Sequence, residues 1–169
     1  VVPTLVLPGG IARVFTGELD SASSPAERFS DLIGADLEVH PGEVLTLPLR
    51  GEFEHGFFLL DGDCAFEGQD IEARTLYYLP PGRSEGAFRS REGARVLLVG
   101  GAPFGEKILM WWNFVGRSHE DVTQARADWE DRDRREARFG VVQGHGDALI
   151  PAPPLPNLRL TPRRRRSVG

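Results

Sequence analysis

The sequence predicts an all-β protein, folded as a closed barrel or as two packed sheets, with one helix and an extended arm at its C-terminal end. Three observations lead there. Short segments of β-branched, aromatic and leucine residues recur between Gly, Pro and Asp punctuation, at spacings typical of a sandwich or barrel. A charged stretch with helical spacing follows Ser118. Five prolines between Pro151 and Pro162 forbid regular structure there. At 169 residues the chain fits one domain, large enough to bury a core without disulfides or a structural metal.

In chain order the expected strands are Ile11–Leu19, Ala35–His40, Glu43–Leu49, Gly56–Asp61, Asp63–Glu67, Thr75–Leu79, Glu85–Arg89, Arg95–Gly100 and Lys107–Val115. Ser23-Ser24-Pro25-Ala26-Glu27 could open a helix with Pro in its first turn, but the context favours a bent strand from Arg28 to Val39 through Gly34. Asp61-Gly62-Asp63 and Phe66-Glu67-Gly68-Gln69 read as tight turns, where Gly supplies positive φ and Asp bonds its own backbone. They make the middle of the chain a meander of hairpins.

Lys107–Val115 is apolar on both faces apart from Lys107 and Asn113, so it needs cover on both sides. The expectation is that one side fills the barrel and the other meets a helix, a second domain or another copy of the chain. The helix is expected over about 118–139, with Ser118 as N-cap and Asp121 completing a near capping box. Its narrow stripe of Val122, Ala125 and Trp129 should dock on the barrel exterior. The domain so read is 1–140. Residues 141–169 follow as an arm, which lies along a surface as an extended Ala152-Pro153-Pro154-Leu155-Pro156 segment, and a basic tail.

Charge and cysteine content exclude several function classes. Arg159 and Arg163 to Arg166 supply five of twenty basic residues, and the body before them carries fifteen against twenty-five acidic ones. Such a body is a poor general nucleic-acid surface, and an Arg run at a chain end reads as a solvated extension. Cys64 is the only cysteine, so neither an intramolecular disulfide nor a thiolate cluster can form, which fits a reducing, cytoplasmic setting. No apolar run is long enough to span a bilayer, and no signal-peptide pattern opens the chain. Val1 stands where a methionine would begin a translated chain, which suggests a processed or excised piece of something longer.

Gly62 after an apolar strand, then Leu79-Pro80-Pro81-Gly82 some twenty residues on, resembles the paired motifs of the cupin superfamily. Glu106 to Gly116, EKILMWWNFVG, followed by RSHEDVTQARADW and RFG, resembles the C-terminal domain of pirins over roughly Ile11 to Gly140. The resemblance implies a cupin-type double-stranded β-barrel, or jelly roll, with one C-terminal helix. Pirins are bicupins whose N-terminal barrel holds a non-haem iron through three histidines and a glutamate. Some oxygenate flavonols such as quercetin, and others act as iron-dependent transcriptional cofactors or bind metabolic enzymes.

A cupin metal site takes two His and a Glu from the first motif and one His from the second. Measured from Gly62 and Gly82, the first-motif histidines fall within Pro48, Leu49, Arg50 and Gly51, none of them a ligand. His55 takes the glutamate's place and Glu85 the second-motif histidine's. The pair could still face each other inside the barrel, as a vestigial polar pair or a weak site completed by Glu54 or Glu52. The reading is nevertheless of a barrel without a metal, since a lone histidine near a strand is usually a satisfied polar residue. His40, His119 and His145 have surface-like neighbours.

Ser84 and Glu85 make no recognisable nucleophile–base pair with His55, and Gly100-Gly101 precedes Pro103 and no helix, so neither hydrolase nor nucleotide-binding chemistry is indicated. No cofactor is expected in this chain; iron belongs to the N-terminal barrel of a full-length pirin. The expected partners are that barrel or a second copy, with other proteins open and neither membrane nor nucleic acid expected. A dioxygenase-like role as part of a whole pirin is the enzyme alternative. A cupin holding a small apolar or sugar-like molecule near His55, Glu85 and Trp111 is the third.

Overall fold

The computed structural model describes residues 1–144, 146 and 148–162. His145 and the Arg163–Arg166 run lie outside the described residues. The chain divides into two compact units, Val1–Pro103 and Phe104–Gly169. The boundary expected at residue 140 therefore falls at Pro103 instead.

Unit one is all β. Its strands are β1 (Thr4–Leu7), β2 (Gly10–Leu19), β3 (Ala22–Ser23), β4 (Leu32–Val39), β5 (Val44–Pro48), β6 (Glu54–Gly62), β7 (Ala65–Phe66), β8 (Gln69–Asp70), β9 (Leu76–Leu79), β10 (Glu85–Arg89) and β11 (Ala94–Gly101). They form one sheet ordered β1-β2-β4-β11-β6-β9, with β3 on β2, and a smaller sheet ordered β5-β10-β7-β8. Strand pairing is antiparallel throughout. Alternation along β2, β4, β6 and β11 sends Ala12, Val14, Leu37, Val39, Phe57, Leu59, Val96 and Leu98 into a core completed by Leu45, Leu47, Phe66 and Phe88 of the smaller sheet. The chain reaches β4 through residues 24–31 without a helix, so the bent-strand reading holds from Leu32 onward.

The turn at Glu67-Gly68 joins β7 to β8 with both residues at positive φ (51° and 80°), the form a two-residue hairpin prefers. Asp61-Gly62 is different, because β6 runs through it and the chain then crosses from the larger sheet to the smaller one. Gly62, at φ 83°, stands where a Cβ would lie 2.1 Å from the Gly93 carbonyl oxygen.

Asp63 ties that crossing to the turn before β11. It accepts hydrogen bonds from Arg91 Nε (2.9 Å), the Arg91 and Glu92 amides (3.3 and 3.1 Å) and Ser90 Oγ (3.3 Å). Chiefly the Arg91 guanidinium, then the two amides, hold its carboxyl at about 2, below the ordinary 3.8. A depressed carboxylate contributes stability that is complete above the unfolded-state value and is lost as pH falls toward the folded one. The melting temperature of Asp63→Asn is therefore expected a few degrees below wild type at pH 7, with the difference shrinking between pH 4 and 2. Thermal melts across that range check it, and a constant gap would contradict it.

Unit two holds β12 (Leu109–Trp111), β13 (Phe114–Gly116), α1 (His119–Glu130) and α2 (Arg132–Phe139). Lys107–Val115 is not the barrel strand expected. It folds back on itself as a hairpin with Trp111 opposite Phe114, leaving Trp112-Asn113 as the turn. Its two-faced apolar character reflects the turn: Leu109 and Phe114 are buried in this unit's own core, while Met110 and Val115 face solvent.

The helix expected over 118–139 is two helices. Ser118 and Asp121 form the full capping box, each side chain accepting from the other's amide (3.1 and 3.0 Å). Asp131 then adopts extended backbone (φ −91°, ψ 124°), ends α1 and caps α2 by accepting from the Arg134 amide. The elbow is clamped by Asp128, which accepts from Arg138 Nη1 and Gln124 Nε2 (2.8 and 2.7 Å).

The Val122–Ala125–Trp129 stripe, expected to dock on a barrel, is covered by the hairpin and by the arm. As expected, the Pro-rich arm lies along a surface, that of α1. Arg126 donates to the Pro153 and Ala152 carbonyls, Glu130 accepts from the Ala152 amide, Trp129 Nε1 donates to the Ile150 carbonyl, and Arg159 pairs with Glu120.

Candidate functional site

The two barrel residues singled out from sequence are placed on opposite faces. His55 lies on β6 between Leu79 of β9 and Gly100 of β11, on the inward face it shares with Phe57 and Leu59, and is 3% exposed. Its neighbours are a tilted Phe53 ring at 6.1 Å and the bare backbone of Gly100, where a Cβ would come within 2.9 Å of the imidazole Cδ2. Burial lowers the pKa of His55, and the charge of Glu52 offsets this only in part, so the neutral imidazole is favoured. Glu52 is engaged by Arg50, whose guanidinium also covers the Phe53 ring at 4.3 Å.

Glu85 opens β10 opposite Pro48 and is exposed, on the outward face with Arg89, whereas Gly86 and Phe88 face the core. His55 and Glu85 therefore do not face each other, which corrects the expected vestigial pair. Trp111, the third candidate, belongs to unit two, where its ring stacks on Phe114 at 6.4 Å. Glu54, a candidate to complete a weak site, sits on the outward face of β6 and accepts from the Tyr78 hydroxyl (3.0 Å).

The barrel interior beyond His55 is occupied by rings. Phe57 contacts Phe66 (4.5 Å), stacks on Tyr77 (5.2 Å, 6°) and meets Phe88 edge-on (5.3 Å, 88°). Among the described residues no group of three or more His, Cys, Asp or Glu could hold a metal ion. A cupin iron would need three or four imidazole and carboxylate donors converging on one point. One inward imidazole beside a phenylalanine ring and an outward Glu85 do not provide that, so these residues do not fit a cupin iron.

Sequence reasoning missed a cleft in unit two, of about 290 Å³, whose walls include Trp112, Trp129, Arg135, Phe139 and Ile150. The sequence carried one signal for it: Trp112-Asn113 between apolar residues can be a hairpin turn as readily as a strand.

Two antiparallel sheets closed on a single core, with Gly62 at positive φ where the chain crosses between them and Gly82 at positive φ between β9 and β10, define unit one as a cupin barrel. The family model of the pirin C-terminal cupin domain matches residues 34–136. The chain belongs to that family.

A protein of Pseudomonas aeruginosa named putative quercetin 2,3-dioxygenase is 39% identical over 143 residues, covering 85% of this chain and 44% of the relative. A pirin-like protein of Caulobacter vibrioides is 31% identical over 123 residues, covering 72% and 42%. The crystal structure of quercetin 2,3-dioxygenase from Acinetobacter baumannii superimposes with a TM-score of 0.81 at 35% identity, covering 94% of this chain and 52% of that one. The chain thus spans about half the length of the curated relatives it matches.

Proposed function

We propose that this chain is a structural, partner-packing cupin half of a pirin-type bicupin, with metal and chemistry carried by an N-terminal barrel. The observation that carries the reading is the opposite facing of His55 and Glu85. The motif positions that would bring metal ligands together are here divided between a ring-packed core and the solvent side.

The larger sheet supports a packing role. Its outer face carries an apolar strip from the Phe15 ring, which lies over Gly34, through Val99 to Leu76 and Tyr78, with Gly56 between. Leu76 is 65% exposed and Tyr78 49%. An apolar strip continuous over several strands marks a surface built to be covered. A cytoplasmic setting belongs to the same proposal: no described helix is long and apolar enough to cross a membrane, and Cys64 is buried with its thiol pushed up to about 11, mainly by burial.

A second reading, that the chain is part of a quercetin 2,3-dioxygenase-like oxygenase, is favoured by the names of the Pseudomonas and Acinetobacter relatives and is compatible with the first. In it this half shapes the surroundings of an iron held elsewhere.

Reconstitution with ferrous iron under anaerobic conditions, followed by elemental analysis, tests the reading. The chain alone is expected to retain well under one tenth of an equivalent of iron, manganese, zinc or copper. Addition of a pirin N-terminal barrel is expected to give a 1:1 complex by gel filtration that Val99→Glu prevents. Metal near one equivalent, lost in His55→Ala, would overturn the proposal.

A further inference from the structure

The cleft of unit two has the composition of a ligand site and a strained residue in its wall. Trp112 adopts φ 50° in the two-residue turn between β12 and β13. That left-handed position is ordinarily taken by glycine, and a bulky ring held there is an outlier of the kind that clusters at binding sites. The ring is kept in place by edge-on contacts with Phe114 (5.2 Å) and Trp129 (6.0 Å, 69°), and Trp129 in turn meets Phe139 edge-on (5.5 Å, 76°). Val141, Val142 and Ile150 leave apolar side chains largely open to water beside these rings.

Ring spacing decides which ligand chemistry fits. A quaternary ammonium is held by rings on several sides, each within about 6 Å of the cation. Here the rings already touch one another at 5.5–6.0 Å, so they make one continuous wall and leave no box between them. A flat aromatic ring, added as one more stacked or edge-on partner, suits such a wall.

Charge points the same way. Arg135 lines the cleft with its Nη1 anchored on the Trp129 carbonyl (2.8 Å) and has no carboxylate partner among the described residues. The nearby Glu136 carboxylate accepts from Arg132 Nε (3.1 Å), which offsets its charge. The volume of about 290 Å³ lies just below the range of small-molecule sites, roughly 300 to 1,000 Å³, which limits the ligand to a small one.

We propose that this cleft binds a planar aromatic carboxylate of about two fused rings, its face or edge on the Trp112–Trp129–Phe139 wall and its carboxylate met by Arg135. The site lies wholly within unit two and does not depend on the role proposed for the barrel. A guanidinium–carboxylate contact is charge-assisted, so it should separate an anionic ligand from a neutral one of the same shape.

All three tryptophans of the chain, Trp111, Trp112 and Trp129, belong to this unit, and two of them form the wall. Titration of the full chain with 2-naphthoate, read by tryptophan emission and by calorimetry, is expected to give saturable 1:1 binding with Kd below about 1 mM. Arg135→Gln should weaken 2-naphthoate about tenfold and leave neutral 2-naphthol within twofold, a difference that loss of fold would not produce. Trp112→Gly should weaken both probes while the melting temperature holds or rises, because glycine suits the turn. Phe139→Ala, whose ring is 42% exposed, is the second wall variant and should also weaken both. Absence of saturable binding, unchanged affinity in Trp112→Gly and Phe139→Ala, or equal loss of both probes in Arg135→Gln would overturn the proposal.

Discussion

Phe57→Ala is expected to lower the unfolding free energy of unit one by about 3–5 kcal/mol, the range for emptying a packed aromatic site in a core. Phe57 is 1% exposed and touches three other rings, from β7, β9 and β10, so its removal opens a void between the two sheets that no flexible neighbour can fill. Tyr77 would lose its stacked partner, and Phe88 its edge-on contact while keeping Phe66 at 5.0 Å. Both tyrosines, Tyr77 and Tyr78, lie in unit one and all tryptophans in unit two. Denaturant unfolding followed by tyrosine emission should therefore show the loss, while the tryptophan-reported transition moves far less. A shift of under about 1 kcal/mol would mean that the interior collapses around the missing ring and is softer than its ring contacts imply.

Gly62→Ala is expected to cost roughly 2–4 kcal/mol, although it adds a single methyl group. Two effects act together. The backbone at φ 83° is unfavourable for any residue with a Cβ, and the added carbon would lie 2.1 Å from the Gly93 oxygen and 2.9 Å from Ala94 Cα. Those are backbone atoms in the turn that leads into β11, so relief requires moving a strand paired on both sides. Asp63, next in the chain, holds the same turn through the Arg91 and Glu92 amides and would be displaced with it. Equilibrium unfolding of the variant checks this. A loss below about 1 kcal/mol would show that the crossing between sheets adapts.

Short apolar segments between Gly, Pro and Asp punctuation placed eight of the nine expected strands, but the same punctuation made Asp61-Gly62-Asp63 a tight hairpin turn where the chain instead crosses between the sheets. The ninth failed for a physical reason. Lys107–Val115 is apolar at nearly every position, and such a run has no period to tell a strand from a hairpin; only Asn113 hinted at the turn, and Trp112 argued against it. The elbow in the helix was legible in principle, since Asp131-Arg132-Asp133 offers a second N-cap, but continuous helix-forming residues on both sides concealed it. β1, β3 and β8 were passed over because edge and two-residue strands carry too few residues for a pattern. For the candidate site, spacing found the motif positions His55 and Glu85, but inward or outward facing depends on registers that differ between β6 and β10. The Trp112 cleft rests on contacts between segments far apart in sequence, which spacing does not encode.

The pairing of β11 also governs how fast unit one can fold. Eight residues of β11, Ala94 to Gly101, pair with β4 on one side and with β6 on the other, and Arg95 bonds Asp36 across 59 positions. The strand that joins the two halves of the sheet is thus the last of unit one to leave the ribosome. Until it arrives, β4 and β6 each present an open edge, and closing loops of that length is slow compared with forming local hairpins. Unit one should accordingly acquire its native sheet late, in a single step triggered by β11, and the nascent chain before that moment should be the state most in need of protection from aggregation.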